Sequence, residues 1–396
     1  MPGAPVAIFD CDTHCYETRD AFTRYLPKEW AEHAVRPIRL DGGEKILAGD
    51  RIAVFNSEQG LGFDYAYRPG SLKQMLQQMA SGNPEETYQP EPMKPEYVRR
   101  DARLALMDTQ GVQRAVVFPS AMALSVENYV KNTPAAFANV HAFNQWFDEE
   151  WGFNRDDRIV APALLSLRDR ELAVQELEYV LDRGARLVLL PTGPVNGRSP
   201  GDPYFDPIWA RLNEAKATVA FHIMENWYNE AIAPAWGHDP APGSWHMSAW
   251  QWNNLYGERP IEDTLSALIF DNIFGRFPNL MVLVAEFGAS WVPHFLVHMD
   301  KSRGMGRNGP WIGGPLHERP SQIFQRHIRV APYPEDDVAK IVRDLPAVDC
   351  LVAGSDFPHA EGVADPRELV DLVRDLPDEL QHRLLRGNAE ILFADR

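Results

Sequence analysis

"IFDCDTHCYE" (residues 8–17) places two aspartates and a histidine at the end of an apolar run. On a β-strand Asp10, Asp12 and His14 share one parity, so their side chains point the same way. Burying unpaired carboxylates is costly, and the arrangement demands a counter-charge or a metal. The turn after this first strand contains no glycine. A dinucleotide-binding sheet would announce itself there with a Gly-rich phosphate loop, so that fold loses ground. The chain also lacks a GxxxxGK[ST] motif.

Further apolar runs repeat the rhythm along the chain. Strands are expected at 6–10, 114–119, 159–167, 185–191, 218–224, 281–287, 328–333 and 350–356. Helical patterns lie between them, including 97–111, 169–183, 203–216, 261–276, 335–345 and 366–376. Eight near-continuous apolar strands alternating with amphipathic helices predict an α/β fold, a closed (β/α)8 TIM barrel. The runner-up is a doubly wound open sheet.

Two stretches break the rhythm. Residues 20–98 hold a hairpin pattern with a turn near Ala48-Gly49-Asp50 and then a polar, Pro-rich run. They are expected as an insertion after strand one, capping the active face of a single barrel spanning 1–396. A second insertion, 225–258, carries Trp227, Trp245, Trp250 and Trp252 as candidate pocket walls.

The chain has 396 residues and a net charge of −17. That balance argues against a nucleic-acid backbone or an anionic membrane surface as partner. Cys11, Cys15 and Cys350 form no CxxC pair and fit a reducing compartment. The first residues read as neither a signal nor a membrane segment, so the expected location is the cytoplasm and the expected partner a small molecule.

Barrel enzymes hold their chemistry at the C-terminal ends of strands. Strand one ends in Asp12 and His14, strand five in His222, strand six in Glu286 and strand eight in Asp356. In "TVAFH" Thr218, Ala220 and His222 share a face, which puts small residues into the barrel beneath the imidazole. Two imidazoles with two or three carboxylates suit one divalent transition metal, Zn²⁺, Mn²⁺ or Fe²⁺, better than Mg²⁺ or Ca²⁺.

The D-x-H of strand one, the isolated His222, "GSDFPHAEG" (354–362) and "LLRGNAEILF" (384–393) resemble the second amidohydrolase family, in its aminocarboxymuconate-semialdehyde decarboxylase-like branch. "RDARLALMDTQGVQRAVVFPS" (100–120) and "FGRFPNLMVLVAEFGASWVPHFL" (274–296) carry the same likeness. The resemblance implies a (β/α)8 barrel with one divalent metal on Asp12, His14, His222 and Asp356. It also implies that Asp356 is both ligand and general acid/base, and that the assembly is a homodimer. The chain departs from the pattern at Asp12, where many relatives have histidine, and at Glu286, which replaces a strand-six histidine.

Glu286 and His294 are further catalytic candidates. His359 and Glu361 are expected to meet substrate beside Trp227, Trp245 and Trp250. Asp10 and Glu17 are expected to support the ligands from behind. Two reactions suit the set: hydrolysis of an acyl bond by metal-activated water, and non-oxidative decarboxylation of an aromatic acid. Glu286 and the long insertions tilt the reading towards hydrolysis of a bulky apolar substrate. A catalytically inactive barrel serving as a binding protein is the third reading.

Overall fold

The computed structural model describes residues 7–40, 43–52, 63–81, 90–224, 228–242 and 246–394. Its barrel strands are β1 (Ile8–His14), β2 (Val112–Phe118), β3 (in two pieces, Ile159–Val160 and Ala163–Leu164), β4 (Leu187–Leu189), β5 (Thr218–His222), β6 (Met281–Ala285) and β7 (Ile328–Val330). All pair in parallel with their sequence neighbours. Pro162, which has no N–H to give, sits at the break in β3. Asn144 takes over there, accepting from the Leu164 N–H at 2.8 Å and donating to its carbonyl at 2.9 Å.

Residues 350–357 close the ring as the eighth segment. Leu351 bridges Val330 and Phe357 bridges Thr13, both in parallel. Cys11 N–H donates to Ala353 O and His14 N–H to Phe357 O, each at 2.8 Å. The segment is irregular for a steric reason: it lies so close to β1 that a Cβ on Gly354 would fall 2.7 Å from the Asp12 Cβ.

β1 runs four residues beyond the expected 6–10, because Thr13 and His14 still pair with Val117 and Phe118. The expected helix at 261–276 divides into Glu258–Phe270 and Ile273–Arg276. The longest helix, Thr133–Glu150, escaped the periodicity reading. Ten of its residues are buried, so it shows no simple polar–apolar stripe.

Between β1 and β2 the chain lays a small antiparallel sheet, Arg36–Leu40, Gly43–Ala48 and Arg51–Ile52, over the barrel mouth. Gly49 supplies the left-handed turn at φ 64° where the sequence predicted one. The following stretch is tied to the eighth segment's loop: Leu72 N–H donates to Ala360 O at 2.9 Å. No helix among the described residues is long and apolar enough to cross a membrane.

Candidate metal centre

His14 ends β1 and His222 ends β5, both buried. His14 Nδ1 lies 3.1 Å from Pro119 O, and His222 Nδ1 lies 2.8 Å from Ile223 O. A carbonyl can only accept, so each ring spends its Nδ1–H there and turns Nε2 inward. The two Nε2 atoms meet at 3.0 Å, and Asp12 Oδ1 stands 3.6 Å from each.

Two facing lone pairs at that distance need a positive charge between them. Without a metal, that charge is a proton. Burial opposes it, yet Glu286 and Asp12 hold the His222 imidazole well above its usual range. Burial and then the charge of His359 push His14 well below its own. For Asp12, burial raises the carboxyl's affinity for a proton, but His14 and His222 outweigh it and keep the group ionised. A proton still leaves buried Asp12 Oδ1 without a hydrogen-bond partner. A divalent cation answers both demands, and these donor atoms lie within 4.8 Å of one another. The residues fit a metal.

Two more carboxylates border the same point. Glu286 Oε2 is 3.1 Å from His222 Nε2, and Asp356 Oδ1 is 3.3 Å from His14 Nε2. Both residues follow a strand in the left-handed region, Glu286 at φ 57° and Asp356 at φ 54°. For a side chain this costs about 1–3 kcal/mol each and is held by the surroundings. Asp356 N–H donates to Asp12 O at 2.7 Å, and the Tyr333 hydroxyl donates to Glu286 O at 2.9 Å. Burial raises both carboxyls; the charges of Glu286, Glu361 and Asp12 lift Asp356 further.

His359 follows one turn on. Its ring stacks on His14 at 3.9 Å between centroids, and its Nδ1 lies 3.0 Å from Asp356 Oδ1. Its Nε2 lies 3.1 Å from Ser120 Oγ, whose single proton goes to Cys15 O at 2.8 Å. Ser120 therefore accepts from His359 Nε2–H. The other nitrogen then shares a proton with Asp356, wherever along the 3.0 Å line it rests.

Asp10 sits one layer deeper, fully buried. Its Oδ1 accepts from Ser355 N–H at 3.0 Å and Asp12 N–H at 3.3 Å, which pins the eighth segment to β1. Burial pushes its carboxyl up to about 7. Glu17 stands at the N-terminus of the helix Ala121–Tyr129, where its Oε1 accepts from Ala123 N–H at 3.1 Å; burial pushes it, too, up to about 7. Neither belongs to the donor clusters around the imidazoles.

Above this floor opens a cavity of ≈ 730 Å³, walled by the barrel loops and by the sheet laid over the mouth. His359, Glu361 and Glu17 line it. His294 does not. It is exposed on the helix Val292–Met305 and stacks on His298 one turn away, while Val292, Phe295, Leu296 and Met299 face inward. The helical period thus carries it to the outer face. Trp250 also lies off the cavity, stacked flat on His238 at 4.9 Å; Trp252 and Tyr256 line the wall instead. Trp227 and Trp245 fall outside the described residues.

The sequence profile of the amidohydrolases matches residues 9–394. An amidohydrolase from Mycobacterium avium subsp. paratuberculosis K-10 superimposes with a TM-score of 0.83 at 32% identity, over 100% of this chain and 99% of that one. The chain belongs to the amidohydrolase family. A curated relative, 2-amino-3-carboxymuconate-6-semialdehyde decarboxylase of Dictyostelium discoideum, is 24% identical over 235 residues, which is 59% of this chain and 60% of that protein. A dihydroxybenzoic acid decarboxylase from Polaromonas sp. JS666, crystallised with manganese and 2-nitroresorcinol, shares the fold at a TM-score of 0.58 with 16% identity, over 83% of this chain and 97% of that one.

In this amidohydrolase several residues at the site carried no sequence signal as a group. Arg103 is buried and donates to His14 O at 2.6 Å and Glu96 O at 2.8 Å, its guanidinium lying between the rings of Trp151 and Phe357. It fixes the backbone beneath the first imidazole. Tyr333 and Ser120 act on Glu286 and His359 through hydrogen bonds that span 47 and 239 residues. No local pattern reports such pairings.

Proposed function

We propose that this enzyme is a metal-dependent, non-oxidative decarboxylase of aromatic acids. The observation that carries the reading is the position of the Asp356–His359 pair. It shares a proton at the edge of an imidazole–carboxylate floor, under a cavity with Phe63, Tyr65, Trp252 and Tyr256 in its wall. A decarboxylase needs an anchor for the carboxylate, an apolar wall for the ring, and a proton for the carbon that loses CO2. The decarboxylases among the similar proteins support the same choice over the hydrolysis that the strand-six glutamate first suggested.

Asp12, His14, His222, Glu286 and Asp356 would hold a divalent transition metal, which when bound neutralises the acidic floor and attracts a carboxylate and its neighbouring oxygen. The apolar wall favours neutral CO2 over a buried carboxylate. As the ring-to-carboxyl bond breaks, its electron pair stays on the ring carbon and Asp356 Oδ1 delivers a proton to that carbon. That proton is the one Asp356 shares with His359 Nδ1; its delivery leaves a carboxylate beside a neutral imidazole held by Ser120, and the pair takes its next proton from water entering the cavity.

The test is CO2 release by manganese-loaded enzyme from a panel of hydroxylated benzoic acids. The expected result is turnover that a chelator abolishes and Asp356→Asn lowers about 10²–10⁴-fold. Hydrolysis of ester or amide analogues with no CO2 from any acid would overturn the reading. Glu286 supports hydrolysis as the alternative, since a carboxylate at that place can take a proton from water.

A further inference from the structure

The cavity is far larger than the reaction centre requires. A cavity of about 150 Å³ accommodates benzene; this one holds ≈ 730 Å³. Ile46, Phe63, Met75 and Met93 give it an apolar wall. Flexible methionines suit an extended apolar group of variable shape.

One charged side chain in that wall is unaccounted for. Glu44 is taken up by Arg19, whose Nη1 reaches its two oxygens at 3.1 and 3.0 Å. Lys45, the next residue, lines the cavity, is half-buried, and has no hydrogen bond or ion pair from its ammonium among the described residues. It is also the only lysine or arginine among the described residues lining the cavity; the other charged groups, the histidines of the floor apart, are acidic. A cation left unpaired in the wall of this cavity, beside apolar side chains, is placed to receive an anion that the wall guides to it.

We infer that the substrate carries a second anionic group at the far end of an apolar arm, and that Lys45 receives it. The inference rests on the decarboxylase reading for the reacting end and adds the recognition of the opposite end. A simple benzoic acid would fill the floor and leave the wall and Lys45 without a partner.

The test is a matched series of 2-hydroxybenzoic acids with alkyl arms of three to eight carbons, each ending in a carboxylate or in its methyl ester. Binding to the manganese-loaded enzyme is measured by calorimetry, and CO2 release separately. The expected result is that, at one arm length, the carboxylate binds about ten-fold tighter than its ester. Lys45→Met should erase the difference without weakening the ester, and Lys45→Arg should keep it. Equal affinities at every length, or a preference that survives Lys45→Met, would overturn the inference, even if both ligands lose CO2. Lys45-dependent binding of ligands that never release CO2 would uphold it and instead overturn the decarboxylase reading. Failure of every ligand to bind would overturn both.

Discussion

The floor of the cavity and its wall are built by opposite means. The floor draws Asp12, His14, His222, Glu286 and Asp356 from strand ends as much as 344 residues apart, and nearly every atom is pinned. The imidazoles are fixed by backbone carbonyls, Asp10 clamps β1 to the eighth segment, and Glu286 and Asp356 sit in left-handed backbone. The wall draws on the short strands Gly43–Ala48 and Tyr65–Ala66 laid over the barrel, on the long thioether side chains of Met75 and Met93, and on the aromatic rings of Trp252 and Tyr256. A site organised this way separates the two requirements of an enzyme. The chemistry needs positions held to fractions of an ångström, whereas the substrate's body needs only shape and one or two polar contacts.

If the comparison holds, substitutions in the floor should act on rate and metal, and those in the wall on apparent affinity. The largest effect is expected for Asp356→Asn, with CO2 release falling about 10²–10⁴-fold while circular dichroism and the melting curve stay close to the parent's. Next comes pH. Glu17 has a carboxyl raised by burial from its ordinary value to about 7. Between roughly pH 4.5 and 7 the folded chain therefore holds a proton that the unfolded chain has released, and stability falls as pH rises through that window. Glu17→Gln should remove about 3 kcal/mol of this dependence. Urea titrations at pH 5 and pH 8 should show the variant gaining on the parent at the higher pH; parallel changes in the two proteins would contradict it.

A smaller loss is expected for Gly354→Ala. The new Cβ would press on the Asp12 Cβ at 2.7 Å and on the Ala331 Cβ at 2.9 Å, costing about 1–3 kcal/mol of stability and lowering manganese occupancy measured by elemental analysis. Trp252→Ala should raise KM about ten-fold and leave kcat near the parent's, as removal of a wall contact does. Trp250→Ala should change neither, because its indole stacks on His238 away from the cavity. A fall in kcat for Trp252→Ala would break the division between floor and wall.

The barrel and its floor were largely legible in the sequence. Strand ends follow from apolar runs, and a carboxylate or imidazole just after such a run is conspicuous, so Asp12, His14, His222, Glu286 and Asp356 could be picked out in advance. His294 misled because it follows the same strand as Glu286, but it lies within the helix Val292–Met305, where the period of 3.6 rather than 2 decides which way it points. The wall was harder to read. Tryptophans in a loop mark aromatic packing without saying onto what, and Trp250 and Trp252 differ only by the turn of a short helical segment. The Ser120–His359 and Tyr333–Glu286 hydrogen bonds depend on barrel closure, which no local spacing encodes.

The central claim is that the two inward Nε2 atoms and the Asp12 carboxylate share one cation. Crystals grown with Mn²⁺ and measured at the manganese absorption edge test it directly. The account predicts a single anomalous peak per chain in contact with His14 Nε2, His222 Nε2 and Asp12 Oδ1. A fully loaded crystal with no peak there, and a hydrogen bond between the two imidazoles in its place, would contradict it.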